Sequence, residues 1–153
     1  MAHIHEKIDF TASVYIVREG KVLLHKHKKL SIWLPPGGHI ELDEDPSQAA
    51  MREVKEEVGI DVELVAPYVK RSGSNADLLP PRFVNRHRIS PTHEHIAFIF
   101  FAKAKSRDLH IPVHEHAECR WFKESELDDP KFNLSPDLKH YARTALRELA
   151  TRP

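Results

Sequence analysis

The stretch GGHIELDEDPSQAAMREVKEEVGI, residues 37–60, contains the strongest local structural signals of the chain. Asp45 is followed directly by a proline and, three positions later, by Gln48, which is the pattern of a helix N-cap with a capping box. Gly59 is placed to end the same helix in a left-handed conformation. The sequence therefore predicts a helix over Pro46–Val58.

The faces of this helix differ in character when its residues are placed at 100° intervals. One sector is apolar and is expected to pack on a sheet; it contains Ala50, Met51, Val54 and Val58. Another sector carries three glutamates spaced i, i+3 and i+4, which are Glu53, Glu56 and Glu57. Carboxylates at this spacing are neighbours and repel one another by a few tenths of a kcal/mol per pair. Arg52 can relieve one of them, most simply Glu56 at i+4.

A hard divalent cation is one way to compensate the remaining negative charge, because Mg²⁺ prefers carboxylate and phosphate oxygens. A solvated acidic face is the alternative, and the helix alone leaves both open. Gly37 and Gly38 favour the cation, since their missing Cβ atoms let a phosphate or metal approach the main chain. Glu44 can reach the same cluster, or it can hold the loop on the helix through an ion pair with Arg52.

In the rest of the chain, runs of β-branched residues and of alternating apolar residues predict mainly strands. The predicted strands are Phe10–Val17, Val22–His25, His39–Leu42, Ile60–Val65, Phe83–Ile89, His95–Ala104 and Cys119–Phe122. Prolines and glycines at residues 35–38 are expected to interrupt regular structure, and residues 71–82 to form a loop. A helical turn at Glu124–Leu127 and an amphipathic helix at Asp137–Ala150 follow. This order predicts an α/β fold, with a mixed sheet between helices in a single domain over residues 1–153.

Length and composition favour a single folded domain and argue against a membrane-spanning or disulfide-bonded protein. A chain of 153 residues that is 41% apolar and 30% charged has the size of one folded domain that buries roughly two-thirds of its unfolded surface. Lys plus Arg and Asp plus Glu number 23 each, so no overall field attracts a nucleic-acid polymer or a membrane. The longest apolar run, Ile96–Ala102, is far shorter than the ~20 residues of a membrane span. The single cysteine, Cys119, excludes an intramolecular disulfide, and we expect a cytoplasmic protein.

The spacing of Gly38, Glu44 and the segment Arg52–Ile60 resembles the Nudix family signature at every defining position. The flanking Trp33–Pro35 and Trp121–Phe122 are also similar to that family. The resemblance implies a Nudix-type α/β/α sandwich. It also implies hydrolysis of a pyrophosphate bond in a nucleoside diphosphate linked to a group X, with Mg²⁺ or Mn²⁺ as cofactor.

The same resemblance implies roles for the residues of the signature. The metal ligands would be the carbonyl of Gly38 and the carboxylates of Glu44, Glu53, Glu56 and Glu57. The catalytic group would comprise Arg52, which orients the glutamates, together with Glu53 and Glu56, either of which is our first choice as the base that takes a proton from water. Glu115 and Glu118 are the alternative bases.

The sequence indicates the substrate-binding residues less clearly than the metal-binding residues. Basic groups for phosphates and an aromatic ring for a base are offered by Lys26, Lys28, Arg82 and Phe83. Subclasses of the family carry a proline for ADP-ribose or a tyrosine for dinucleoside polyphosphates beyond the signature, and Asn75, Ala76 and Asp77 match neither. We therefore expect a small-molecule substrate, a (deoxy)nucleoside triphosphate or a related nucleotide.

Two other functions remain open at this point. One is a catalytically silent nucleotide-sensing module, against which the retention of every glutamate of the signature counts. The other is a hydrolase of ADP-ribose or of dinucleoside polyphosphates. A homodimer is the assembly that the resemblance implies.

Two histidine pairs with i, i+2 spacing, His93/His95 and His114/His116, each project to one face if they lie on a strand. They could bind Zn²⁺ or donate protons to phosphates. We interpret them as ordinary polar residues, because no third ligand accompanies them at a typical spacing.

Overall fold

The computed structural model describes residues 5–66, 77–106, 108–110 and 116–150. The strands are β1 (Ile8–Arg18), β2 (Lys21–His27), β3 (Trp33–Leu34), β4 (Gly37–His39), β5 (Val62–Val65), β6 (Phe83–Ser90), β7 (His93–Ala104) and β8 (His116–Lys123). The helices are α1 (Pro46–Val58) and α2 (Pro136–Ala150), with short 3₁₀ turns at Glu124–Glu126 and Pro130–Phe132. Within these ranges no helix combines the length and apolar character needed to cross a bilayer.

The strands form one mixed sheet, in the order β3-β2-β1-β7-β5. β4 pairs with β1, β6 with β7 and β8 with β2. The central pair β1–β7 is parallel, from Ile8 opposite Glu94 to Val17 opposite Lys103. The other pairings among the described strands are antiparallel. The predicted mixed sheet is thereby confirmed.

A helix covers each face of the sheet. Successive residues of β1 point to opposite faces, so this strand contributes side chains to the apolar layer under each helix. Ala12, Val14 and Ile16 join the apolar layer under α1. Tyr15 and Val17 join the layer under α2. This arrangement is the predicted α/β sandwich, and the apolar stripe expected on α2 is buried at Leu138, Ala142, Ala145, Leu146 and Leu149.

The bounds of α1 agree with the prediction. The Asp45 carboxylate accepts a hydrogen bond from the Gln48 N–H, the reciprocal bond of the capping box is present, and Gly59 is left-handed with φ of 65°. The expected position of Met51 on the buried face was wrong, since it is 40% exposed. Ala49, Glu53 and Glu57 are buried beside Ala50, Val54 and Val58, so the packed face is turned toward two of the glutamates.

The prediction for residues 35–42 was also wrong in detail. Gly37 and Gly38 do not interrupt regular structure but begin β4, which pairs with Thr11–Ser13 of β1, and residues 40–42 lie outside any strand. The pairing depends on backbone hydrogen bonds to a distant segment, which side-chain patterns do not reveal. β3 was not predicted, and the other strand ends agree with the prediction to within three residues.

Candidate active site

Arg52 lies at the centre of the carboxylate cluster. Its Nε and Nη2 donate to the two oxygens of Glu44, at 3.0 and 2.6 Å. Nη1 donates to Glu53 at 2.8 Å and to Glu56 at 3.2 Å, and Nη2 also donates to the carbonyl of His39 at 3.0 Å. A guanidinium has five N–H donors, and five bonds are made here. The expectation that Arg52 relieves a single glutamate was therefore wrong, because it contacts three carboxylates.

Glu44 holds the loop before α1 on the helix. Both of its oxygens bind Arg52, and Oε1 also accepts from the Glu41 N–H at 2.9 Å. The hydrogen bonds from Arg52 lower the pKa of Glu44, and the same pairing raises the pKa of Arg52. In this arrangement Glu44 plays the supporting role that the sequence left open beside metal ligation.

Glu53 is buried against Gly38. A Cβ atom at residue 38 would lie 2.6 Å from Cδ of Glu53, so any side chain there would displace the carboxylate. Burial raises the pKa of Glu53 to about 7; the bond from Arg52 opposes this rise, and the charges of Glu57 and Glu56 add to it. Because ionisation is costly here, the carboxylate is favoured by a cation placed beside it.

Glu57 is held by two groups from outside α1. Its Oε1 accepts from the Gly37 N–H at 2.9 Å, and its Oε2 lies 3.1 Å from Nε2 of the buried His25. Sequence reasoning missed His25. The alternation of β2 was a usable signal, because His25 lies two residues after Leu23 and therefore faces the α1 layer with it.

Glu56 differs from the other two glutamates, since 58% of its side chain is exposed. The helix turn thus presents one accessible carboxylate beside two buried ones, Glu53 and Glu57. With Glu44, the cluster contains four carboxylates, and three of them bind the guanidinium of Arg52. Such an oxygen-only donor set is suited to Mg²⁺ or Mn²⁺.

The four predicted substrate residues fall into two separate pairs. Lys26 is on β2, opposite Trp33 and Glu118, and Lys28 is exposed in the turn that follows. Phe83 begins β6, and β1 and β7 separate this strand from β2. The structure therefore does not bring the four residues together.

The contacts of Arg82 and Phe83 are to α2. Arg82 binds Glu148 through Nε and Nη2, at 3.0 and 2.7 Å, and its guanidinium lies 4.4 Å from the centre of the Phe83 ring. Phe83 packs on Tyr141 with ring centres 5.1 Å apart. These contacts attach the start of β6 to α2.

A cavity of about 280 Å³ lies between the sheet and α2. Its polar and aromatic lining includes Ser13, Tyr15, Asn85, His87, Asp137 and Tyr141. Leu34 and Pro35 form another part of the wall, and one residue, Pro36, separates them from the Gly37–Gly38 pair. Sequence reasoning missed this group, because its members come from distant segments that carry no shared motif.

Several sequence predictions concern residues outside the described ranges. These are the alternative base Glu115, residues Asn75 and Ala76 beyond the signature, and His114. Glu118, the other alternative base, is exposed on β8 opposite Lys26.

Comparisons with known proteins agree with this geometry. A family model described as the NUDIX domain matches residues 8–149. The crystal structure of a NUDIX-family hydrolase from Clostridium perfringens superposes with a TM-score of 0.82 and 34% identity, covering 92% of this chain and 97% of that one.

Two curated relatives match over shorter stretches. An RNA pyrophosphohydrolase of Methylococcus capsulatus is 37% identical over 68 residues, which are 44% of this chain and 36% of the relative. A probable DHNTP pyrophosphohydrolase of Lactococcus lactis is 27% identical over 110 residues, 71% of this chain and 61% of the relative. The matches thus span between a third and two thirds of the length of these relatives. The match over residues 8–149, the fold and the complete signature show that the chain belongs to the NUDIX domain family.

Proposed function

We propose that this protein hydrolyses a pyrophosphate bond of a small nucleotide, a nucleoside diphosphate linked to a group X, with Mg²⁺ or Mn²⁺ as cofactor. A (deoxy)nucleoside triphosphate is the substrate class we favour. The observation that carries the proposal is the carboxylate cluster of α1, ordered around Arg52 and packed on Gly38. The names of the two curated relatives support the reaction class, since both are called pyrophosphohydrolases.

In this proposal the metal is held by Glu53, Glu56, Glu57 and the carbonyl of Gly38, with Glu44 as an additional ligand. The bound ion would neutralise the diphosphate and lower the pKa of a coordinated water. Either Glu53 or Glu56 would take a proton from the attacking water, and Nη1 of Arg52 orients both carboxylates.

The cavity under α2 is our candidate for the nucleoside part of the substrate. Tyr15 and Tyr141 offer aromatic surface to a base, and Asn85 and Asp137 offer polar groups that can read its edge. Its wall at Leu34–Pro35 is one residue away, along the chain, from the Gly37–Gly38 segment of β4. A nucleoside in the cavity would therefore lie close, along the chain, to the segment that packs on Glu53. Lys26, Lys28, Arg82 and Phe83 remain predictions for substrate contacts.

The test is hydrolysis of a nucleotide panel by the purified protein with Mg²⁺, measured as released phosphate or pyrophosphate. The panel contains nucleoside triphosphates, ADP-ribose, dinucleoside polyphosphates and 5′-triphosphorylated RNA. We expect turnover of at least one small nucleotide, and a fall of orders of magnitude in Glu56→Gln. The control is Glu63→Gln, which alters an exposed carboxylate on β5 and should keep full activity.

Two results would contradict the proposal. Unchanged turnover in Glu56→Gln would remove that residue from the mechanism. A folded protein that binds nucleotides with Mg²⁺ but cleaves none of them would point to the nucleotide-sensing alternative.

A further inference from the structure

A second cluster of metal-ligating side chains lies on the side of the sheet that faces α2. Ala12 of β1 pairs with Gly38, and both face α1. The neighbouring residues in each strand point the other way, which places Asp9 and His39 on the α2 side. The carboxylate cluster of α1 and this second cluster are thus on opposite sides of the sheet.

Strand register brings the members of the second cluster together. Asp9 of β1 lies directly opposite His95 of β7, and His87 of β6 lies opposite His95 on the other side. His93 precedes His95 by two residues and shares its face. His39 pairs with Thr11, two residues after Asp9. Directly paired residues point to the same face of a sheet, so one carboxylate and four imidazoles meet there.

The distances suit a bound cation. Asp9, His93 and His95 each offer one ligand atom, and these atoms all lie within 4.8 Å of one another. Oδ2 of Asp9 lies 3.3 Å from Nε2 of His93 and 3.3 Å from Nε2 of His39. Ligands of a tetrahedral zinc ion, with bonds about 2.0–2.1 Å long, are about 3.3–3.4 Å apart.

The surroundings of His93 add a second argument. Its Nδ1 lies 3.1 Å from the carbonyl oxygen of Glu6, which is the contact that orients most metal-binding histidines. The other ring nitrogen of His93, Nε2, is directed at the Asp9 carboxylate, 3.3 Å from Oδ2. A cation placed between these two atoms would be bound by both groups.

Burial makes this group unfavourable for an anionic ligand. Asp9 is 1% exposed and His93 6% exposed. The buried carboxylate disfavours a phosphate, because two anions would be placed together at low dielectric.

We propose that Asp9, His93 and His95 form a binding site for a divalent transition-metal ion, with His39 adjoining it as a fourth ligand. Imidazole ligands suit Zn²⁺ and related ions, whereas the oxygen-only cluster on α1 suits Mg²⁺. The ion would tie the start of β1 to the start of β7, where the parallel pairing begins, and through His39 it would reach β4.

Zinc retention by the full-length protein tests the site independently of hydrolysis. Metal-free protein is loaded with Zn²⁺ in excess Mg²⁺, passed through a desalting column and analysed for metal content, and zinc affinity is measured by calorimetry under the same conditions. We expect one zinc per chain, with an affinity at least about tenfold weaker in His95→Gln and in Asp9→Asn. Two controls should retain the ion: His110→Gln, which alters an exposed histidine elsewhere, and Glu56→Gln on α1.

Each other outcome overturns the proposal. No zinc in the wild-type protein, equal affinity in His95→Gln, or loss of zinc in Glu56→Gln instead would each do so. If the cluster variants fail to fold, the visible absorption spectrum of Co²⁺ bound to the wild-type protein tests the site instead. Strong visible absorption expected of a four-coordinate site supports the proposal, and the weak absorption of six-coordinate cobalt contradicts it.

Discussion

Two adjacent glycines, Gly37 and Gly38, occupy tight positions for different reasons. A Cβ atom at Gly38 would run into the carboxylate of Glu53, the end of a flexible side chain. A Cβ atom at Gly37 would lie 2.9 Å from Cα of Ser13 and closer still to the carbonyl oxygen of Ala12, which are backbone atoms of β1. A side chain can rotate away, whereas a paired strand cannot do so without breaking its hydrogen bonds.

The two alanine variants should therefore fail in different ways. In Gly38→Ala we expect Glu53 to be displaced, so that Mg²⁺ affinity and turnover fall while thermal stability changes little. In Gly37→Ala we expect the β1–β4 pairing to be disturbed and the melting temperature to fall by several degrees, since a core-type clash costs roughly 1–3 kcal/mol. Calorimetric Mg²⁺ titration and thermal unfolding of both proteins provide the comparison. The same loss of stability in both variants, with Mg²⁺ affinity intact in Gly38→Ala, would contradict this assignment.

Helix α1 was predictable from the sequence because its ends depend on neighbouring residues. Asp45 caps its own helix, Gln48 returns the bond, and Gly59 supplies the left-handed turn. The burial of Glu53 and Glu57 was not predictable in the same way. It depends on contacts from β4 and β2: Gly37 lies 20 residues before Glu57, and His25 lies 32 residues before it. β4 is itself placed by its pairing with β1.

The N-cap of α1 gives a prediction at the level of this element. Replacing Asp45 by alanine removes the acceptor of the Gln48 N–H and should destabilise the protein by about 1 kcal/mol, which corresponds to a fall of roughly 2–4 °C in melting temperature. Asp43→Ala, at an exposed position before the cap, is the matched control and should change the melting temperature little. Thermal unfolding followed by circular dichroism measures both. Equal effects of the two substitutions would mean that general charge near the helix start, and not the cap, stabilises α1.

Across the whole molecule, the sheet separates two sets of chemistry-bearing groups. The carboxylates of α1 lie on one side; the cavity and the histidine cluster lie on the α2 side. The sequence signature identified the first set because its members fall within 22 residues of one another, from Gly38 to Gly59. It could not reveal that Asp9 lies opposite His95, because that contact requires the register of the parallel pair β1–β7.

The stability of the whole protein should report on the carboxylate cluster through pH. Without metal, burial raises the pKa of Glu53 to about 7 from its ordinary value of 4.5. The folded protein then holds this proton more tightly than the unfolded chain, so the contribution of Glu53 to stability is lost as pH rises from about 4.5 to about 7. Glu53→Gln cannot ionise. We therefore expect the metal-free variant to gain stability relative to the metal-free wild type as pH is raised through that interval.

Mg²⁺ should reverse this difference, because a bound cation compensates the ionised carboxylate. Calorimetric melting curves of both proteins between pH 4.5 and 8, with and without saturating Mg²⁺, measure the effect, and the comparison with Glu53→Gln cancels the groups that titrate alike in both proteins. At pH 8 the ion should raise the wild-type melting temperature more than that of the variant. At pH 4.5 it should change neither much, since protons then compete for the carboxylates. Parallel pH profiles for the two metal-free proteins would show that ionisation of Glu53 does not oppose folding, and an equal response to Mg²⁺ would place the ion away from Glu53.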